Sequence, residues 1–175
     1  MNRSFVLLLA LLAGGCAPEG PREPPNFLFI VTDDQRYDML GVVNPTLHTP
    51  NMDRLAGEGV RFENAYVTTP ICAASRASLL TGLVERSHQY TFGTPPLSRE
   101  HTDRSYPRLL REAGYHTGFV GKFGVNTEPG AVDSMFHAFV PLRPAPYLKT
   151  MEDGSTRHLT DITADESIRY LAARQ

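Results

Sequence analysis

A cysteine and an arginine stand four positions apart in the segment ICAASRASLLTG, residues 71–82. Small and apolar residues follow Cys72, and Gly82 is a residue type that ends helices, so the pattern predicts a helix that begins just after Cys72. The N–H groups and the positive dipole end at the start of a helix attract anions. Arg76 lies one turn along the same face, where its guanidinium can bind an oxyanion. The segment therefore predicts an anion site next to a cysteine; the alternative is a buried cysteine whose thiol is only a small apolar group.

Two adjacent aspartates, Asp33 and Asp34, follow a continuous apolar run at residues 26–32. Such a run is typical of a strand that is buried on both faces of a parallel sheet. Open α/β sheets bind ligands beyond the carboxyl ends of their strands, where these aspartates would lie. Adjacent carboxylates repel each other unless a cation holds them, and hard oxygen ligands suit Ca²⁺ or Mg²⁺. The pair predicts a metal site, and the alternative is a solvated turn.

Three further helices are predicted from capping residues and helix breakers. Residues 49–59 have Thr49 at the cap position and Gly57 and Gly59 at the end, and residues 105–113 and 160–173 show a helical apolar pattern. We expect the inward-facing positions of the last two helices to be Leu109, Leu110, Ala113, Ile162, Ile168 and Leu171.

Strands are predicted between these helices. Residues 60–67 alternate apolar and polar side chains, and residues 116–120 are predicted to be a short strand that leads to Lys122. Residues 85–103 and 128–151 are predicted to be a polar loop and an irregular segment. Strands that alternate with helices indicate an α/β fold around a mainly parallel sheet.

The first residues are predicted to direct export. An apolar run at residues 5–12 follows a weakly basic start and is too short to span a bilayer. Small residues precede Cys16, and this stretch resembles a bacterial lipobox, in which the cysteine is acylated after cleavage. We expect a lipoprotein signal peptide at 1–15 and a tether at 16–25, with the exported protein held to a bacterial membrane, in the periplasm or at the cell surface, by lipid on Cys16. An ordinary signal peptide with an incidental Cys16 is the alternative.

Composition fits one globular domain after the tether. The chain has 175 residues, 41% of them hydrophobic, and a formal net charge of -2. This charge gives no basic surface for nucleic acid, and no nucleic-acid partner is expected. Because Cys16 would carry lipid, Cys72 has no disulfide partner in an exported protein, which is a reason to expect that its thiol is modified.

Several segments resemble, in order and spacing, those of the type I sulfatases of the alkaline phosphatase superfamily. Cys72 and Arg76 resemble the ends of the family signature Cys-x-Pro-x-Arg, with Ala74 at the proline position. The other similar segments are residues 27–35, 49–66 and 114–122. The resemblance covers about residues 26–175 and implies an alkaline phosphatase-like α/β fold, with a mainly parallel sheet flanked by helices. It also implies that these residues are the N-terminal part of a catalytic domain, incomplete at the C-terminus and inactive as this fragment.

The resemblance gives each motif a role in the hydrolysis of sulfuric esters. Cys72, oxidised to formylglycine by a maturation enzyme, would be the nucleophile and would also touch the metal. Asp33 and Asp34 would bind Ca²⁺, or Mg²⁺. Arg76 would hold the formylglycine and offset developing charge, and Lys122 would contact a sulfate oxygen. The implied substrate is a sulfated small molecule or a sulfated polysaccharide.

One position departs from the family pattern, and two other functions stay open. The family often has a histidine two positions after the lysine, where this chain has Gly124, and we expect His48, His88 and His116 to be surface or turn histidines. The first alternative function is a phosphodiesterase or phosphonate monoester hydrolase of the same superfamily, some of which use a similar cysteine motif. The second is a truncated surface lipoprotein without catalytic activity.

Overall fold

The computed structural model describes residues 23–174 of the chain. The predicted signal peptide, Cys16 and most of the tether lie outside the described residues. The chain divides into two compact units, one that ends at Met39 and one that begins at Leu40. Among the described residues, no helix has the length and apolar character that a membrane span requires.

The described part of the first unit, residues 23–39, contains no helix and no strand. The strand predicted over residues 26–32 is therefore wrong, and the apolar side chains from Phe27 to Val31 are 48% to 72% exposed. A strand buried on both faces needs paired neighbours, and no strand of residues 23–174 pairs with this segment. Asp33 and Asp34 follow it at a bend, and Asp34 has a φ of 58°, a left-handed conformation that aspartate tolerates better than most residues.

The described part of the second unit contains seven helices. Their bounds are Pro50–Glu58 (α1), Cys72–Thr81 (α2), Glu85–His88 (α3), Arg99–Thr102 (α4), Tyr106–Glu112 (α5), Ala131–Met135 (α6) and Leu159–Ala172 (α7). Four of them, α1, α2, α5 and α7, confirm the helices predicted from sequence. The predicted polar loop over 85–103 instead carries the single turns α3 and α4.

Two small sheets of two strands each form in the same unit. The strands are Gly118–Gly121 (β1), Ala138–Pro141 (β2), Leu148–Thr150 (β3) and Thr156–His158 (β4). β1 and β2 are parallel, with Phe119 opposite Phe139, whereas β3 and β4 form an antiparallel pair. The helix α6 connects the two parallel strands, so the α/β class predicted from sequence is confirmed.

Two other predictions for strands and loops differ from the structure. Residues 60–67 form no strand and are exposed, because within the described residues no other segment pairs with them. The segment 128–151, predicted to be irregular, contains α6, β2 and β3. The strand predicted at 116–120 is confirmed as β1, which begins two residues later.

The core of the second unit joins α2 to the residues around the parallel strands. Ala77, Leu80, Tyr90, Leu97 and Met135 are among its buried side chains. Four aromatic rings pack beside it, with centroids between 5.1 Å and 6.2 Å apart; they belong to Phe119, Phe123, Phe136 and Phe139. This aromatic cluster reaches the segment that follows β1, because Phe123 lies two residues after that strand.

The last helix, α7, packs on β1 through polar and aromatic residues. The hydroxyl of Tyr170 donates a hydrogen bond to the backbone oxygen of His116 at 3.0 Å. A Cβ on Gly118 would lie 2.6 Å from Cε2 of the Tyr170 ring, so the ring occupies space that only glycine leaves. The predicted core positions Ile168 and Leu171 are instead 64% and 46% exposed. Leu109 in α5 and Ala113, directly after that helix, are also exposed, since an apolar stripe is buried only where another element covers it.

Candidate active site

Cys72 is the first residue of α2 and is exposed. The first main-chain hydrogen bond of this helix runs from the N–H of Ser75 to the carbonyl of Ile71 at 2.8 Å. Ile71 occupies the cap position and provides no side-chain cap for the first turn. The N–H groups of that turn and the dipole of the helix therefore create a positive potential beside Cys72. The predicted helix is confirmed, and it begins one residue earlier than expected.

Small residues hold this helix close to the core. Ala73, Ala77 and Leu80 follow the helical spacing of one face and are buried in the core cluster. Cys72 and Arg76, four positions apart, share a neighbouring face of the helix, where Cys72 is exposed and Arg76 is half-buried. The burial of the alanine face thus fixes the direction in which Cys72 and Arg76 point.

Arg76 joins α2 to the end of β1. Its Nη1 donates a hydrogen bond to the backbone oxygen of Lys122 at 2.9 Å, across 46 positions of sequence. Lys122 is the first residue after β1, and both it and Arg76 are half-buried. A hydrogen bond from a charged donor is stronger than a neutral one, so this contact restrains the guanidinium. Two of the residues predicted for the site are therefore in direct contact.

Gly124 lies against both of these residues. A Cβ on Gly124 would be 2.9 Å from Nη1 of Arg76 and 3.8 Å from Cε of Lys122. Its φ of 63° is in the left-handed region that favours glycine. In this chain, where the family often has a histidine, the glycine leaves the space beside the backbone to Arg76.

A network of hydrogen bonds supports the chain after this turn. The N–H of Asn126 donates to the hydroxyl of Tyr90 at 2.8 Å, and the N–H of Leu97 donates to the carbonyl of Asn126 at 2.9 Å. Because Tyr90 and Leu97 are buried core residues, they fix the backbone that leaves Gly124. Glu128 adds a bond from the N–H of Arg99 to its carboxylate at 2.8 Å.

The core side of α2 is held by a buried histidine. His88 is only 3% exposed, so the expectation that it is a surface or turn histidine is wrong, although His48 and His116 are exposed. Its Nδ1 accepts a hydrogen bond from the N–H of Tyr90 at 3.1 Å, which leaves the ring proton on Nε2 for donation to Ser78 Oγ at 3.0 Å. Burial lowers the pKa of His88, and the nearby His101 lowers this pKa further. Neutral His88 is thus a donor that ties α2 to the chain after α3.

Asp33 and Asp34 belong to the first unit, where both side chains are exposed. Their carboxylate oxygens are the hard donors that Ca²⁺ and Mg²⁺ prefer, so the donor chemistry fits the predicted cation. No group of three or more His, Cys, Asp or Glu side chains within residues 23–174 is placed to hold a metal ion. The two aspartates by themselves are thus a partial set of ligands.

The chain belongs to the sulfatase family, because the sequence profile of that family matches residues 25–175. This confirms the resemblance found on the cysteine, aspartate and lysine segments. It also agrees with the α/β arrangement in which a helix and a parallel strand bring Arg76 and Lys122 together.

Several relatives have related sequences and structures. An N-acetylglucosamine-6-O-sulfatase from Bacteroides thetaiotaomicron is 33% identical over 184 residues, which covers 99% of this chain and 33% of the relative. An arylsulfatase from Clostridium perfringens is 42% identical over 105 residues, which covers 59% of this chain and 22% of the relative. A solved structure of a protein in complex with its substrate D-glucosamine-2-N,6-O-disulfate has a TM-score of 0.71 and 30% identity, over 87% of this chain and 32% of that chain. The chain thus spans about a third of the length of the first of these relatives.

Sequence reasoning missed two residues that shape the site. Gly124 stands out in the sequence only as a missing histidine, although a glycine so soon after a strand and a lysine is a signal for a close approach of other groups to the backbone. His88 gives no usable signal, because its burial depends on a contact with Ser78, which lies ten positions earlier in another helix.

Proposed function

We propose that the chain carries the nucleophile and two cationic side chains of a sulfuric ester hydrolase. The single observation that supports this best is the 2.9 Å hydrogen bond from Arg76 Nη1 to the Lys122 backbone oxygen. This bond joins the guanidinium of Arg76, on the helix that begins at Cys72, to the backbone of Lys122, whose side chain bears an ammonium group. Membership of the sulfatase family supports sulfate as the group that is removed.

Cys72 would act after a maturation enzyme, which supplies a two-electron oxidant, has converted its CH₂–SH group to the aldehyde of formylglycine, with the sulfur leaving as hydrogen sulfide. Water adds to the aldehyde and gives two hydroxyl groups on one carbon. One hydroxyl oxygen forms a bond to sulfur as the bond from sulfur to the substrate alcohol breaks, and the alcohol leaves with a proton. The second hydroxyl then loses its proton, its electron pair forms the carbonyl, and the C–O bond to sulfate breaks. The aldehyde is thereby restored, which an unmodified thiol could not achieve.

Arg76 and Lys122 would stabilise the negative charge that develops in this reaction. Arg76 lies one helical turn from Cys72, and its bond to the Lys122 carbonyl sets the direction of the guanidinium. The side chain of Lys122 would contact a sulfate oxygen. The positive end of α2 adds its potential at Cys72, where the charge arises.

A divalent cation, Ca²⁺ or Mg²⁺, would be held by Asp33, Asp34 and the modified Cys72, and when bound it would supply positive charge that favours ionisation of the attacking hydroxyl. Ca²⁺ takes ~6–8 oxygen ligands, and two carboxylates with one hydroxyl oxygen supply only part of that number. We therefore expect residues 1–175 by themselves to be inactive, with the remaining ligands supplied by other parts of the whole enzyme.

The substrate class we propose is a sulfated amino sugar, free or within a sulfated polysaccharide. The support comes from relatives: one is an N-acetylglucosamine-6-O-sulfatase, and one solved structure holds D-glucosamine-2-N,6-O-disulfate as its substrate. An exported protein that is held to the membrane by lipid on Cys16 would meet such sugars outside the cytoplasm.

The test uses the whole enzyme that contains this chain, co-expressed with the maturation enzyme. It is assayed with an aryl sulfate, with glucosamine 6-O-sulfate and with an aryl phosphodiester. We expect release of sulfate, and a fall of several orders of magnitude in Cys72→Ala, because removal of a nucleophile abolishes covalent catalysis. Ser87→Ala, at an exposed position, is the matched control and should keep full activity.

Two outcomes would contradict the proposal. Cleavage of the phosphodiester without cleavage of either sulfate ester would make the protein a phosphodiesterase of the same superfamily. A folded and modified protein that turns over none of the three compounds would favour the surface lipoprotein without catalytic activity.

A further inference from the structure

We infer that Gly124 is a positioning residue that holds Arg76 against the backbone of Lys122. The inference rests on the proposed function only in treating Arg76 as part of the active site. The contacts that support it do not depend on substrate, metal or modification.

The contact between Gly124 and Arg76 involves one particular atom. A Cβ at position 124 would lie 2.9 Å from Nη1 of Arg76, closer than real Cβ contacts. The same Nη1 donates the 2.9 Å hydrogen bond to the Lys122 carbonyl. With the backbone at φ 63°, a side chain at position 124 would therefore press on the atom that ties α2 to the end of β1.

The guanidinium, rather than the backbone, would yield to such a side chain. Nη1 is the far end of a flexible side chain, whereas the backbone after Gly124 is fixed through Asn126 by the buried Tyr90. Loss of the bond would release Arg76 from the direction that it needs beside Cys72. The absence of a side chain at position 124 thus acts on the site through Arg76.

A double-mutant cycle separates this effect from simple backbone strain. Gly124→Ala adds both the strain of an alanine at φ 63° and the clash with Arg76. In an Arg76→Ala background only the strain is left. We expect the fall in Tm caused by Gly124→Ala to be about 2–4 °C larger with Arg76 present than without it.

Gly82→Ala is the matched control, because Gly82 has a φ of 71° and a Cβ added there would have nothing within 4 Å of it. Its fall in Tm should be the same with and without Arg76. If the two backgrounds also give equal falls for Gly124→Ala, Gly124 does not position Arg76.

A spectroscopic measurement follows Arg76 directly. In the full chain labelled with ¹⁵N-arginine, the guanidinium signal of Arg76 is assigned by its loss in Arg76→Lys. We expect this signal to shift in Gly124→Asn, because asparagine tolerates the left-handed region but adds a Cβ, and to stay in place in Gly82→Asn. An unchanged Arg76 signal in Gly124→Asn would overturn the inference.

Failures of folding are also decisive. If Gly124→Ala does not fold but the double variant with Arg76→Ala does, the clash with Arg76 is the cause, as we infer. If neither folds, backbone strain is the cause and the inference is wrong. The cycle uses no substrate. A larger fall in Tm with Arg76 present, found in an enzyme without sulfatase activity, would therefore reject only the proposed function. Equal falls in an active sulfatase would reject only the role of Gly124.

Discussion

At the scale of single residues, the alanine at position 74 is compatible with a motif that usually carries proline. Ala74 lies in the first turn of α2 and is fully buried. The first main-chain hydrogen bond of the helix is made by Ser75, so the N–H of residue 74 takes no part in the helical ladder. The missing N–H of a proline at this position would therefore break no helical hydrogen bond, and alanine makes the same first turn beside Cys72 without it.

We predict that Cys72 is converted to formylglycine when the chain is co-expressed with a maturation enzyme. The reason is that the spacing from Cys72 to Arg76 and the turn that carries it are intact. Mass spectrometry of the peptide across Cys72 should show an aldehyde or its hydrate in the natural chain and in Ala74→Pro. Thiol alone in the natural chain, together with aldehyde in Ala74→Pro, would contradict this prediction.

His88 should make the stability of the fold depend on pH. Burial, with the charge of His101, lowers the pKa of His88 in the folded chain, and Glu85 acts in the opposite direction. The unfolded chain has the ordinary histidine pKa of about 6.5 and so binds the proton first as the pH falls. Stability from His88 is therefore complete above about pH 6.5 and declines as the pH falls toward the lower folded value.

The measurement is urea unfolding, repeated at several pH values between about 7.5 and 5, the range in which a histidine titrates. His88→Gln can still donate to Ser78 but does not titrate, so its free energy of unfolding should vary less with pH, by up to about 1.4 kcal/mol per pH unit. His48→Gln, at an exposed histidine, is the control. An unchanged pH dependence in His88→Gln would show that His88 is not responsible.

At the scale of elements, the packing of α7 on β1 depends on one glycine. Gly118→Ala would place a Cβ 2.6 Å from Cε2 of Tyr170. Overpacking of this kind costs roughly 1–3 kcal/mol, and it would also strain the hydrogen bond from Tyr170 to His116. We predict a lower Tm for Gly118→Ala, and a much smaller further fall when Gly118→Ala is added to Tyr170→Ala.

Gly57→Ala is the matched control for this prediction. Gly57 lies inside α1 with nothing within 4 Å of a Cβ, so alanine should leave Tm unchanged or raise it, since alanine is the better helix former. A fall in Tm for Gly118→Ala that remains in full after removal of the Tyr170 ring would show that the ring is not the obstacle.

The elements also show which features could be predicted from sequence. Local signals decided the helices: Pro50 fits the first turn of α1, and Gly82 ends α2 with a φ of 71°. The assignment of Arg76 and Lys122 to one site came only from the resemblance to a family, because nothing local joins positions 46 residues apart. The strands at 26–32 and 60–67 could not be judged from pattern alone, since an apolar run becomes a strand only when another strand pairs with it.

At the scale of the whole molecule, the lipid anchor remains a prediction, because Cys16 lies outside the described residues. Metabolic labelling with a fatty acid should mark the natural chain and leave Cys16→Ser unmarked, since acylation needs the thiol that follows the signal peptide. Cys72→Ser is the control and should be labelled as the natural chain is. Equal labelling of Cys16→Ser would favour an ordinary signal peptide.

The exposed segment at residues 26–32 has a consequence for handling of the isolated chain. It reads NFLFIVT, seven residues without charge or proline and rich in aromatic and β-branched side chains. Its apolar side chains are exposed, and such a segment is prone to stack with identical copies as cross-β structure. We predict that the purified chain forms aggregates that bind thioflavin T, and that Phe29→Lys, which puts a charge in the segment, delays them. Aggregation at the same rate in Phe29→Lys would locate the self-associating surface elsewhere in the chain.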